Sequence, residues 1–125
     1  MLRAKEAMAT VAVRDLAKAK KFYEQTLGLT LTDQQEQEAL TYQAGGTRLL
    51  VYRSQYAGSN QATATTWVVG SDMEKVVQSL KGKGVSFEHY NMPGMTLKGD
   101  IHVADRIKAA WFKDPDGNIH ALVSE

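Results

Sequence analysis

Three histidines (His89, His102 and His120), fourteen Asp and Glu and five tyrosines are the groups in this chain that could ligate a metal or exchange protons. The sequence contains no cysteine, which excludes disulfide scaffolds, thiolate metal sites and cysteine nucleophiles. His89 and His102 stand near or within a stretch without regular periodicity. Neither has His, Asp or Glu at a spacing that would make a metal-ligand set. A structural or solvated role is therefore expected for each histidine. Asp114 and Asp116 form a carboxylate pair, but the string Asp114-Pro115-Asp116-Gly117-Asn118 is turn chemistry first. General acid–base work needs a titratable group in a pocket; the tyrosines, His120 and Glu88 are the only candidates, which is thin support.

The 125 residues fit one domain. Hydrophobic residues make up 43% and charged residues 23%, near the globular average and too apolar for disorder. Fifteen Lys and Arg against fourteen Asp and Glu leave a net charge of +1, so no global field favours nucleic acid or an anionic membrane. The segment Met1-Leu2-Arg3-Ala4-Lys5-Glu6 is charged, and no apolar run approaches the ~18 residues of a membrane span. A soluble cytoplasmic protein without membrane or nucleic-acid partners is the expectation.

Periodicity supplies the elements that would position these groups. Residues 7–13 read as a strand, after which Asp15 has the chemistry of a helix cap. Leu16, Ala19, Phe22, Tyr23 and Leu27 recur at helical spacing up to Gly28. Strands follow at 29–32, 39–43 and 47–53, the last two joined through Ala44-Gly45-Gly46. The second half repeats the pattern. A strand at 64–69 leads to a helix opened by Asp72, with Met73, Val76, Val77 and Leu80 as its apolar stripe and Gly84 as its stop. Strands are expected at 85–90, 107–113 and 119–123, with a loop over 91–106. The chain thus reads as one α+β domain of two βαβββ modules, 7–54 and 64–125, joined by a linker at 55–63. Asp15-Leu16 corresponds to Asp72-Met73, and Gly46 to Gly117.

The ordered set Val11-Ala12-Val13-Arg14-Asp15-Leu16, Phe22-Tyr23, Leu27-Gly28-Leu29, Asp72 to Gly84-Val85 and Ala110 to Asn118 resembles the vicinal oxygen chelate superfamily. That group takes in glyoxalase I, bleomycin-resistance proteins, fosfomycin-resistance transferases and extradiol dioxygenases. The resemblance implies two βαβββ modules whose mixed sheets curl around a cavity, and a homodimer in which a partner chain can complete it. It also implies where metal ligands would stand: on the first strand of each module seven residues before the helix-opening Asp, and on the last strand four residues after the turn Gly. Here those positions hold Met8, Thr65, Ala121 and Leu50. They supply no imidazole or carboxylate set for a divalent metal, so no metal or other cofactor is expected.

Strand alternation from these positions gives the expected cavity: Met8, Thr10, Arg48, Leu50, Tyr52, Thr65, Trp67 and Ala121, with Ile119 and Val123. The position before the second turn adds Trp111, and its first-module counterpart Leu40 adds Tyr42 by alternation. Such a lining, aromatic and apolar with a few hydroxyls, suits a small organic ligand. The function expected is metal-independent binding of a small aromatic compound, of the drug-resistance or sequestration type. The alternatives are a glyoxalase- or dioxygenase-like lyase or isomerase with a displaced or absent metal site, and a protein-binding subunit with a filled cavity.

Overall fold

The structure, a computed structural model, describes residues 1–124. Strand β1 (Ala9–Val13) leads into helix α1 (Leu16–Lys21), whose last turns widen to π-helical geometry over Phe22–Thr26. Strands β2 (Thr30–Gln35), β3 (Ala39–Ala44) and β4 (Thr47–Arg53) complete the first half. The second half runs through β5 (Thr63–Val68), a 3-10 turn (Gly70–Asp72) and helix α2 (Met73–Gly82). It continues with β6 (Phe87–Glu88), β7 (Thr96–Lys98), β8 (Ile101–Ala104), β9 (Ile107–Lys113) and β10 (Ile119–Val123). The fold is α+β. One four-stranded sheet has the order β1-β4-β3-β2. The other is β5-β10-β9-β8-β7, with β6 also on β9, and neither closes into a barrel.

Each sheet is mixed because its first strand pairs parallel with its last, β1 on β4 and β5 on β10, while the hairpins between are antiparallel. Alternation then sends one face of each strand to a helix. In the first sheet Val11, Val13, Leu40, Tyr42, Leu49 and Val51 pack with Leu16, Ala19 and Tyr23 of the helical segment. In the second, Ala110, Phe112 and Leu122 pack with Met73, Val77 and Leu80 of α2. Phe22, Leu27 and Trp67 pack against both clusters and so join the halves. Burying a side chain of this size contributes roughly 1.5–3 kcal/mol.

Several sequence expectations change. The 91–106 segment is not a plain loop: Leu97 opposite His102 and Thr96 opposite Val103 make a β-hairpin that extends the second sheet. The strand expected over 85–90 shrinks to β6, and β5 begins at Thr63, inside the expected linker. Asp15 does cap α1, accepting from the Lys18 N–H at 3.1 Å. Asp72 makes no side-chain cap, because the 3-10 turn takes up the chain before α2.

The turn before β10 holds both the β1–α1 junction and the connecting segment. Arg14 N–H donates to Asp116 Oδ1 at 3.1 Å, and Gly58 of the connecting segment lies against the Asp116 carbonyl. A Cβ on Gly58 would overlap that oxygen, and the backbone there has φ +71. Gly58→Ala therefore meets both a clash with main chain and an unfavourable left-handed conformation. The expected outcome is a loss of more than ~1 kcal/mol in urea unfolding, whereas Ser59→Ala at an exposed neighbour stays within ~0.5 kcal/mol.

Candidate functional site

The faces turned away from the helices are where side chains remain free to act. On the first sheet, Thr10 stands beside Leu50, and Ala12 beside Tyr52. Arg48 and Met8 continue the same row by alternation. Thr10 and Arg48 are exposed, Met8 and Leu50 half-buried, and Tyr52 is 40% exposed. A cavity of about 190 Å3 opens here, lined by Thr10, Ala12, Tyr52, Tyr56, Asn60 and Ala64 among others. It lies where β1, β5 and the connecting segment meet.

On the second sheet the free face carries Thr66, Ala121 and Trp111 side by side, then Ala109 and His102. Trp111 and His102 meet edge to face at 4.8 Å, and Tyr90 meets Trp111 at 5.4 Å. The Tyr90 N–H donates to His102 Nε2 at 2.9 Å, which places the ring proton on Nδ1. His102 is 1% exposed, yet its Nδ1 and the Tyr90 hydroxyl have no hydrogen-bond partner. Burial, and after it the Glu88 charge, holds the Tyr90 phenol above its ordinary pKa, so it stays a donor. An N–H and an O–H donor beside an indole ring can grip an oxygen acceptor on a flat ligand.

The residues expected around one cavity are divided between separate surfaces, and three of them, Arg48, Thr65 and Trp67, line a common hollow of about 570 Å3 between the first sheet and β5. Met8, Thr10, Arg48, Leu50 and Tyr52 share the free face of the first sheet, and Trp111 and Ala121 that of the second. Tyr42 does not join them. It is fully buried on the helix face, stacked on Tyr23 at 6.0 Å, with its hydroxyl donating to Glu24 Oε2. Thr65 and Trp67 also lie on the helix face, beside His120 and Leu122. The count back from Asp72 misplaces them by one residue. Between the last inward strand residue and the first buried helix residue the first module spends two residues, Arg14 and Asp15. The second spends three, Gly70, Ser71 and Asp72, with Gly70 at φ +56. One residue along a strand reverses the face. Tyr90 and His102 were missed because the β7–β8 hairpin was not foreseen; its signal was Gly99-Asp100 flanked by Leu97 and Ile101-His102-Val103.

The helix side holds a second polar group of a different kind. Trp67 Nε1–H donates to His120 Nδ1 at 3.0 Å, His120 Nε2 meets the Tyr23 hydroxyl at 3.0 Å, and that hydroxyl donates to Asp114 Oδ2 at 2.7 Å. With Nδ1 accepting, the His120 proton sits on Nε2 and every link is satisfied. Asp114 also accepts from the Asp116 and Asn118 N–H groups, and from the Asn118 side chain, which in turn donates to the Ala12 carbonyl in β1. Burial, then the Asp114 carboxylate, drives the Tyr23 phenol far above its ordinary pKa. Burial pushes the His120 imidazole down to about 4, with Asp114 opposing. This is a satisfied structural chain, and the turn reading of Asp114 and Asp116 stands.

A family model of the Glyoxalase/Bleomycin resistance protein/Dioxygenase superfamily matches residues 7–122. The chain belongs to this superfamily. Solved structures share its fold at low identity. Lactoylglutathione lyase from Agrobacterium tumefaciens has a TM-score of 0.70 at 14% identity, covering 95% of this chain and 92% of its own. The fosfomycin resistance protein FosX from Mesorhizobium loti has 0.69 at 10%, covering 98% and 92%. An integron cassette protein from the mobile metagenome of a Halifax Harbour sewage outfall has 0.72 at 18%, covering 97% and 99%. No curated protein is a significant match.

The metal that the superfamily implies does not fit the side chains in its ligand positions. Met8, Leu50 and Ala121 do face the free sides of the sheets, but offer a thioether and two alkyl groups. On β5, Thr65 points to the helices and its neighbour Ala64 has no donor. Among the described residues no three His, Cys, Asp or Glu side chains converge. No reaction step is routed through a metal here.

Two outcomes test the buried chain. Tyr23→Phe strands the His120 Nε2–H without an acceptor and should cost about 1–3 kcal/mol. Unfolded histidine titrates near 6.5, against about 4 in the fold. Between those pH values the unfolded chain takes up a proton that the folded one refuses, so stability is full above the window and falls as pH drops through it. Urea unfolding should show this slope in the wild type and a shallower one in His120→Gln.

Proposed function

We propose that the protein binds a small aromatic compound without a metal, with Trp111 as the stacking surface and Tyr90 and His102 as hydrogen-bond donors. The observation that carries this is the pair of unpartnered polar atoms, His102 Nδ1 and the Tyr90 hydroxyl, beside an indole on the free face. An unsatisfied buried donor costs stability, and an acceptor on a bound ligand would supply the missing partner. Support also comes from the donor-poor residues in the superfamily's ligand positions. The structural relatives include a lactoylglutathione lyase and fosfomycin resistance proteins, and one fold can carry several functions.

In this reading the protein acts as a homodimer in the cytoplasm. The exposed apolar side chains on the free faces, Tyr52 at 40%, Leu97 at 42% and Val68 at 71%, would be covered by a second copy, whose free face would close the site. The wall on the first sheet is then Met8, Thr10, Leu50 and Tyr52, with Arg48 at its edge.

Thermal unfolding is the test. Aromatic carbonyl or phenolic compounds should raise the midpoint, while nickel, manganese, zinc and iron(II) leave it unchanged. Trp111→Ala should abolish the ligand-induced rise. Stabilisation by a metal at one equivalent, with chelator-sensitive turnover, would instead support the lyase or isomerase reading.

A further inference from the structure

We propose a second binding site, on the helix side of the second sheet, for a small monocarboxylate with a branched apolar body. A cavity of about 110 Å3 lies where the end of the first helical segment, α2 and the second sheet meet. Leu27, Trp67, Val76, Leu80, Phe112 and Leu122 are among the residues that line it, with Leu29 and Val69 completing the wall. The only polar side-chain atom among these is the Trp67 indole nitrogen, and its N–H is committed to His120. A lining of this kind offers a water molecule no hydrogen-bond partner and favours an apolar guest. An engineered cavity of ~150 Å3 accommodates the six carbons of benzene, so this one holds roughly four or five.

The charge at its mouth selects the headgroup. An adjoining hollow shares Leu27, Val76 and Leu80 with the cavity and adds Lys75, Lys83 and Asp72. Neither lysine has a carboxylate within ion-pair distance among the described residues. Among the described residues the Lys83 ammonium makes a single hydrogen bond, at 3.4 Å to the Gln25 carbonyl. Two cations against one carboxylate leave a net positive rim. A guest with its hydrocarbon among Trp67, Val76 and Leu122 would present its head to these lysines. An anion is favoured there and an ammonium is not. The site is independent of the one proposed on the free face, because Trp67 and Trp111 lie on opposite faces of the same sheet.

The chain has two tryptophans, one in each site, so one spectrum separates them. The full chain, 15N-labelled and at low salt, is titrated with sodium isovalerate and with 3-methylbutan-1-ol while both indole N–H resonances are followed. The expected result is a saturable shift of Trp67 with Trp111 unmoved, and tighter binding of the acid than of the alcohol. Lys75→Gln with Lys83→Gln should weaken isovalerate by roughly threefold, leaving the alcohol unchanged. These are exposed positions, so the variant keeps its fold. Val76→Phe, which fills the cavity, should abolish both shifts. No movement of Trp67 at tens of millimolar, or movement of Trp111 alone, overturns the site. The second of these outcomes would place the guest on the free face and leave the reading of that face intact. Unchanged isovalerate affinity in the double lysine variant overturns the assignment of an acid.

Discussion

The fold turns on a buried run of hydrogen bonds, Trp67 to His120 to Tyr23 to Asp114. It begins on β5, crosses β10, reaches the π-helical end of the first helix and ends at the turn before β10. Through Asn118 it also holds the Ala12 carbonyl of β1. Two modules that could each pack a helix on a sheet are thereby locked in one relative position. Polar groups this deep are tolerable because each has its partner, and removing one member leaves the rest stranded. Ring contacts reinforce the lock, with Phe112 stacked on His120 at 5.1 Å and an interplanar angle of 7°.

This lock decides what is left for function. Of the groups the sequence offers for acid–base chemistry, His120 and Tyr23 are consumed, together with the Asp114 carboxylate, in holding the modules together. The free faces keep a sparse set: hydroxyls on Thr10, Thr66 and Tyr52, the Arg48 guanidinium, an indole on Trp111, and the donors of Tyr90 and His102. In the function proposed above, this set would recognise a flat ligand by stacking and a few directed bonds. Among the described residues it provides no carboxylate or imidazole cluster around which the superfamily's metal chemistry could be built.

Most of the architecture was legible because two periods and a handful of turn residues carry it. The inward rows Val11-Val13 and Leu49-Val51, and the stripe Met73, Val77 and Leu80, are plain in the sequence. So were the open-face positions of Met8, Thr10, Leu50, Trp111 and Ala121, since alternation propagates safely inside a regular strand. It failed where a single residue altered the count. The additional residue before α2 sent Thr65 and Trp67 to the other face, and Tyr42 followed a correspondence to Leu40 that lies on the helix side. His102 and Tyr90 were hidden because strands of three and four residues leave too little periodicity to detect. The lock itself was not legible, since its members lie far apart in the chain and touch only in the fold.

The central claim is that the two buried histidines are wired oppositely, His120 with both ring nitrogens engaged in the lock and His102 with its Nδ1 left without a partner among the described residues. Long-range 1H–15N correlation spectra of the imidazole nitrogens at neutral pH test it directly. The account predicts the His120 proton on Nε2, with Nδ1 bare opposite the Trp67 N–H, and the His102 proton on Nδ1. A His120 imidazolium, or a His102 ring protonated on Nε2, would contradict it.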